Sequence, residues 1–253
     1  MSRVVLSQTG QGRSLVFLHG AGVDAEMWAP QVAAFADDHR VVCVTLPGHG
    51  ASGPVRGGVP GMAEDVQRAL QAAAVAPYAV IGLSLGGMVA LELAARWPED
   101  VSHLVMAEAV PYVAKSGLGR AAGQAFVGLV WALGPALFRA LPDSQMGAET
   151  REAGAYTKAA LQKMSRGALG DTLGAALRYD GRRHLEGITQ PSLVMVGEKN
   201  RQTHVRARFA ADQIPNADFH VLKGAGHIAN IDAAEAFNAK VRSFLEADHD
   251  AAA

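Results

Sequence analysis

Gly82-Leu83-Ser84-Leu85-Gly86 sets a serine hydroxyl between two glycines. The apolar run Tyr78-Ala79-Val80-Ile81 leads into it, and a helix-like run from Gly87 to Arg96 leads out. That order predicts a strand turning sharply into a helix with Ser84 at the apex, a geometry that exposes a nucleophilic hydroxyl. Glycine suits such a turn, because a residue without Cβ tolerates unusual dihedrals and the close approach of neighbouring backbone. The helix start that follows offers free N–H groups to a developing oxyanion. The chemistry implied is attack of Ser84 on an acyl carbon.

A serine nucleophile needs a base, and the best placed is His227 in Lys223-Gly224-Ala225-Gly226-His227-Ile228. It follows the last strand-like run and precedes the last helix-like one, so its loop returns to the carboxyl edge of a sheet. Imidazole titrates near neutrality and suits removal of the serine proton. Leu18-His19-Gly20-Ala21-Gly22 follows an early strand-like run, and the N–H groups of Ala21 and Leu85 are the expected oxyanion donors. His19 directly precedes a glycine in that loop and is read as a brace rather than a base. His39, His103, His184 and His249 lack a comparable placement. Trp28, which closes the His19 loop, together with Phe126, Trp131, Phe138, Met146, Tyr156 and Met164, is expected to wall an apolar substrate pocket.

The elements that must position these residues recur with a regular rhythm. Short β-type runs occur at Arg3 to Gln8, Ser14 to Leu18, Arg40 to Thr45, Tyr78 to Leu83, Val101 to Ala107, Pro191 to Val196 and Ala217 to Leu222. Most are continuously apolar, as strands buried on both faces of a parallel sheet are. Helical patterns lie between them, which predicts right-handed crossovers and an α/β fold with a doubly wound, mostly parallel sheet. From Pro111 to Gly187 the rhythm breaks into helix-like runs alone, around Ala121 to Leu133, Gly147 to Met164 and Leu169 to Tyr179. The expected organisation is a core of residues 1–110 and 188–253 and a helical cap of residues 111–187, inserted after the sixth strand. Open α/β sheets bind ligands beyond the carboxyl ends of their strands, where this cap would sit.

Composition narrows the function classes. In 253 residues, 23 Lys and Arg against 24 Asp and Glu leave a net charge of −1, without the basic cluster a nucleic-acid partner requires. The single cysteine, Cys43, lies in the apolar run Val41-Val42-Cys43-Val44, so no intrachain disulfide and no thiolate metal cluster is expected. No ligand spacing points to a metal or an organic cofactor. The start Met1-Ser2-Arg3-Val4-Val5 does not look like a secretory signal, and no apolar run approaches the ~18 residues of a spanning helix. A cytoplasmic protein without a membrane partner is the expectation. The stretch Glu246 to Ala253 reads as a frayed tail.

Taken together, Leu18-His19-Gly20, Leu46-Pro47-Gly48-His49-Gly50-Ala51-Ser52, Gly82-Leu83-Ser84-Leu85-Gly86-Gly87 and Gly224-Ala225-Gly226-His227 resemble the α/β-hydrolase fold superfamily. The branch they are most similar to holds small bacterial esterases, enol-lactonases and cofactor-free haloperoxidase-like enzymes. The resemblance implies a catalytic triad, a small-molecule ester or lactone substrate, and a structural role for His49. Serine rather than aspartate at position 84 argues against dehalogenase and epoxide-hydrolase chemistry, which need a carboxylate nucleophile.

One departure stands out. Where the family typically reads Gly-Glu-Lys-Asp, this chain has Gly197-Glu198-Lys199-Asn200, so the usual acid is an amide. Three assignments are open. Glu108, at the end of Val101 to Ala107, is similar in position to the acid of some relatives, among them a subset of haloalkane dehalogenases. Asn200 could instead orient His227 without a carboxylate. Alternatively Glu198 serves, or catalysis is lost. The leading functional expectation is a serine carboxylic ester hydrolase working through an acyl-Ser84 intermediate. The other is a weak or inactive ligand-binding or signalling protein on the same fold.

Overall fold

The structure is a computed structural model that describes residues 3–114, 117–138 and 141–250. Its strands are β1 (Val5–Thr9), β2 (Arg13–Leu18), β3 (His39–Thr45), β4 (Tyr78–Leu83), β5 (Val101–Ala107), β6 (Ser192–Gly197) and β7 (Ala217–Leu222). They form one sheet in the order β1-β3-β2-β4-β5-β6-β7, with β1 antiparallel to β3 and every other pairing parallel. The helices are α1 (Ala29–Phe35), α2 (Gly58–Ala72), α3 (Leu85–Arg96), α4 (Gly117–Leu133), α5 (Arg151–Gln162), α6 (Arg166–Arg178), α7 (Arg201–Gln213), α8 (Ala229–Asp232) and α9 (Ala234–Asp250). Among the described residues no helix is long and apolar enough to cross a membrane.

The continuous apolar runs have the consequence expected of them, because both faces of the sheet are covered. Val16, Leu18, Val42 and Val44 face one layer, packed with Val59, Met62, Val66 and Leu70 of α2 and most of α3. Their neighbours Leu15, Phe17, Val41 and Cys43 face the other, against Phe35 of α1 and Phe237, Val241 and Phe244 of α9. Alternate residues of a strand point to opposite faces, so a strand with no polar face must be sandwiched in this way. Each fully buried Val, Leu or Phe contributes about 1.5–3 kcal/mol over an exposed one.

The chain steps outward from β2 to β3 and then returns across β2 to form β4. That reversal opens a crevice at the carboxyl ends of β2 and β4. Leu18 is in register with Gly82, so the loops after the two strands start side by side.

Among the described residues, the stretch between β5 and β6 contributes no strand to the sheet. It consists of α4 to α6 and short 3₁₀ turns, and an isolated antiparallel bridge between Tyr112 and Asp180 ties its two ends. The expectation that it follows a sixth strand is corrected, since it follows the fifth. Five of the seven strand-like runs, from Arg3 to Gln8 through Val101 to Ala107, precede Pro111, and each forms one strand, β1 to β5. The frayed tail is corrected as well. Helix α9 continues through Glu246 to Asp250, propagating one further turn from a helix anchored by its last buried contacts at Phe244 and Leu245. Met1, Ser2, residues 251–253 and the side chain of His249 lie outside the described residues.

Two polar staples join this helical stretch to the sheet. Tyr156 of α5 donates its hydroxyl to Asp24 Oδ1 at 2.7 Å, and Lys163 reaches Asp24 and Glu26 at 3.1 and 3.0 Å. Asp232 accepts the N–H groups of Gly226, Glu149 and Thr150 and the Thr150 hydroxyl, all within 3.0 Å. The second staple fastens the His227 loop to the start of α5, and the Ile228 N–H adds a 3.1 Å bond to the Gly147 carbonyl.

Candidate active site

Ser84 occupies the turn between β4 and α3 with φ 56° and ψ −115°. A positive φ at a residue with a side chain is uncommon and is held only where the surroundings over-determine it. Here the Ser84 N–H donates to the Ala107 carbonyl at 2.9 Å, and its own carbonyl accepts from Gly87 and Met88. Two glycines permit the crossing. A Cβ on Gly86 would run into the Leu18 carbonyl, and one on Gly82 into the Gly86 carbonyl. The Leu18 to Gly20 loop therefore lies directly against the turn, and a Cβ on Gly20 would sit 3.4 Å from that of Ser84.

Ser84 and His227 line one cavity of about 210 Å³, together with Gly20 and Ala21. No hydrogen bond joins the two side chains. Leu85 is the first residue of α3, and its N–H belongs to the set that a helix start leaves without an intrahelical partner. Ala21 and Leu85 thus flank Ser84 from the loop after β2 and from the helix behind it.

Glu108 lies one residue beyond β5, and its N–H continues the ladder by donating to the Met195 carbonyl at 2.8 Å. Its φ is 49°, so the strand ends in a left-handed residue that aims the side chain across β6. The carboxylate is buried and fully engaged. Oε1 accepts the Gly197 N–H. Oε2 accepts from Asn200 Nδ2 at 2.6 Å, lies 3.1 Å from Thr203 Oγ1, whose one proton it shares with the Asn200 carbonyl at 2.9 Å, and lies 3.3 Å from His227 Nδ1. A buried carboxylate carrying several donors is held in one orientation, and the donors offset the cost of burying its charge.

Asn200 is placed between the two. Its Nδ2 is 3.1 Å from His227 Nδ1 as well as 2.6 Å from Glu108. Turning the amide would set its oxygen against Oε2, acceptor against acceptor, so Glu108 fixes which end of Asn200 is presented. Asn200 therefore turns its amide N–H groups toward this side and cannot accept a hydrogen bond from His227 Nδ1–H, whereas Glu108 can. Glu198 does not take part, since its carboxylate is turned to the Gly224 N–H at 3.0 Å.

Four of the other histidines are accounted for without chemistry. His19 accepts the Leu46 N–H at Nε2, at 3.0 Å, and its Nδ1 donates to the Gly20 carbonyl at 2.8 Å. His49 Nε2 accepts the Gly22 N–H at 3.2 Å, and the two rings meet edge to face at 4.6 Å. Burial pushes His19 down to about 3 and His49 down to about 4, which keeps both neutral as acceptors. His39 pairs with Asp38 and His184 with Glu92. Burial pushes the Cys43 thiol up to about 12, so it is no nucleophile.

The expected pocket walls are corrected. Trp28 is fully buried against Phe17 and Phe237, with ring centroids 4.9 and 6.1 Å apart, and belongs to the core under the sheet. Phe126 and Trp131 are about half exposed on α4, which turns Val130 inward instead. The apolar walls come from Val23, Phe138, Met146, Leu161, Leu169 and Leu173. Phe138 and Met146 are where the apolar content of the cap placed them, whereas Val23, Leu161, Leu169 and Leu173, and Thr203 beside Glu108, escape sequence reasoning because apolar residues at helical spacing look alike whether they face a cavity or a neighbouring helix. For Thr203 the one available signal is its place three residues after Asn200, within the first turn of α7.

Comparison with known proteins agrees with this fold. A sequence profile of the alpha/beta hydrolase family matches residues 15–240. The chain is 30% identical to the dihydrolipoyllysine-residue acetyltransferase component of the acetoin cleaving system of Pseudomonas putida, over 92% of this chain and 64% of that protein. It spans 44% of a bifunctional biotin-biosynthesis relative from Teredinibacter turnerae. It is 27% identical to 3-oxoadipate enol-lactonase 2 of Acinetobacter baylyi, over 92% of this chain and 88% of that one. Among solved structures, the enol-lactonase from Burkholderia xenovorans LB400 superposes with a TM-score of 0.81 at 25% identity, covering 96% of each chain. With its fold, its serine turn and a family match over most of its length, the chain belongs to the alpha/beta hydrolase family.

Proposed function

We propose that this protein hydrolyses a small or medium carboxylic ester or lactone through an acyl-Ser84 intermediate. The observation that carries the reading is the line of Ser84, His227 and Glu108, in which the first two border one cavity and the third lies 3.3 Å behind the imidazole. Relatives named as an enol-lactonase and as pimeloyl-[acyl-carrier protein] methyl ester esterases support ester hydrolysis as the class.

In the first half-reaction His227 Nε2 takes the Ser84 proton as Oγ adds to the acyl carbon. The Ala21 and Leu85 N–H groups hold the oxyanion. Glu108 accepts a hydrogen bond from Nδ1–H, keeps the tautomer in which Nε2 is free, and stabilises the imidazolium. His227 then protonates the leaving alcohol. Water repeats the sequence on the acyl-enzyme and releases the acid. The Ser84 to His227 hydrogen bond closes as substrate packs in, as catalytic bonds often do. Residues 111–187 act as the cap that keeps the cavity dry, the remainder as the core that positions the chemistry.

p-Nitrophenyl acetate and butyrate test the reading. Turnover lost in S84A, with Ser84 labelled by a fluorophosphonate in the wild type, is the expected outcome. No burst and no labelling would leave a binding protein on a hydrolase fold.

A further inference from the structure

The cavity beside Ser84 has a neighbour. A groove of about 710 Å³ lies on the other flank of the imidazole, lined by Ser144, Gln145, Gln202, Thr203, Arg206 and His227 among others. Gln145, Met146 and His227 border both spaces, so the two meet at the residue that must protonate the leaving group. Their chemistry differs. The first is walled mainly by Leu, Val, Met and Phe, whereas the groove carries hydroxyls, amides and a guanidinium.

Arg206 is the one cation among the residues lining the groove apart from a protonated His227. Its two terminal nitrogens donate to the carbonyls of Val113 at 2.7 Å and Gln202 at 3.0 Å. Two carbonyls orient the fork without neutralising it. Among the described residues no carboxylate lies within ion-pair distance of it, and the nearby Glu108 oxygens are occupied by Gly197, Asn200, Thr203 and His227. A guanidinium carries five N–H groups, so a pinned one still has donors to direct at a planar anion.

We propose that Arg206 is a specificity-determining residue, and that the preferred substrate is an ester with an apolar acyl half and an alcohol half bearing a carboxylate. Resting on the acyl-Ser84 reading, the assignment of halves follows from proton delivery. The acyl group stays on Ser84 in the apolar cavity, while the alcohol departs with a proton from His227 into the groove, its carboxylate against Arg206.

The test compares the butyrate esters of glycolate and glycolamide, which share an acyl group and differ in one charge. Their ratio of kcat/KM in the wild type should fall by ~10-fold in R206Q, mainly through KM, with R206K intermediate. Added salt should lower the ratio in the wild type and leave R206Q unmoved. Q202E, which leaves Arg206 in place and adds an opposing charge to an exposed position of the groove wall, should lower the ratio too. Equal loss on both esters in R206Q, or a salt-insensitive ratio that Q202E does not change, would overturn the proposal while p-nitrophenyl butyrate is still turned over. If no ester is turned over and Ser84 is not labelled, the acyl-enzyme reading fails as well.

Discussion

Asn200 Nδ2 lies 2.6 Å from Glu108 Oε2, and this contact determines what the amide can offer His227. Facing a carboxylate, the amide must turn its nitrogen inward, so it is a donor at the place where the imidazole needs an acceptor. In the proposed mechanism the sequence position that usually holds the acid braces Glu108, at the end of the neighbouring strand β5.

E108Q is therefore expected to lower kcat by roughly 10²–10⁴, since the comparable loss of a triad carboxylate in serine proteases costs about 10⁴. N200D should not act as a simple restoration. It would put a second carboxylate against Glu108, and two such groups at this distance share a proton. The expected result is a modest change in kcat with an added step in the pH–rate profile. A gain of orders of magnitude in N200D, with E108Q near wild type, would move the acid back to position 200.

Thr203 should act on turnover through Glu108. Its hydroxyl is 3.1 Å from Oε2, and hydrogen bonds to charged groups contribute about 1.5–3 kcal/mol. T203V is expected to lower kcat by about tenfold with little change in KM, and T203S to restore it. A kcat in T203V equal to wild type would remove Thr203 from the positioning set.

Acyl-chain preference should follow Leu161 and ignore Trp28. Leu161 borders the cavity beside Ser84, so L161A enlarges it and should shift preference from acetate and butyrate toward hexanoate and octanoate. W28F is expected to lower the urea midpoint without moving that preference, because Trp28 packs in the core between Phe17 and Phe237. Chain-length profiles of the two variants provide the check.

Acid should destabilise the fold well before its carboxylates titrate. His19 and His49 are held near 3 and 4 by burial, against 6.5 for an ordinary imidazole. Between those values the unfolded chain binds more protons, so stability rises with pH, is complete above about 6.5 and is lost as pH falls toward 4. Asp38, held down to about 2 mainly by its hydrogen bond from Arg242, contributes only below about 4. Urea denaturation should show a loss of about 1–3 kcal/mol per pH unit below 6. A midpoint that stays flat from pH 7 to 5 would contradict it.

Local patterns determined much of this protein. Ser84 between glycines, the apolar runs of β2 to β7 and the loop of His227 follow from steric rules and periodicities that act over a few residues. The runs at Tyr78 to Leu83, Val101 to Ala107 and Ala217 to Leu222 match their strands residue for residue. The pocket walls and the partner of His227 were beyond such patterns. Whether Phe126 of α4 or Phe138 of the 3₁₀ turn after it meets the cavity depends on how both pack against α5 and α6, which no spacing along α4 alone encodes. Whether Glu108 or Asn200 serves His227 depends on the register that brings Ala107 beside Met195, and on the positive φ that turns Glu108 across β6. Those are relations between strands distant in sequence, and only the assembled sheet decided them.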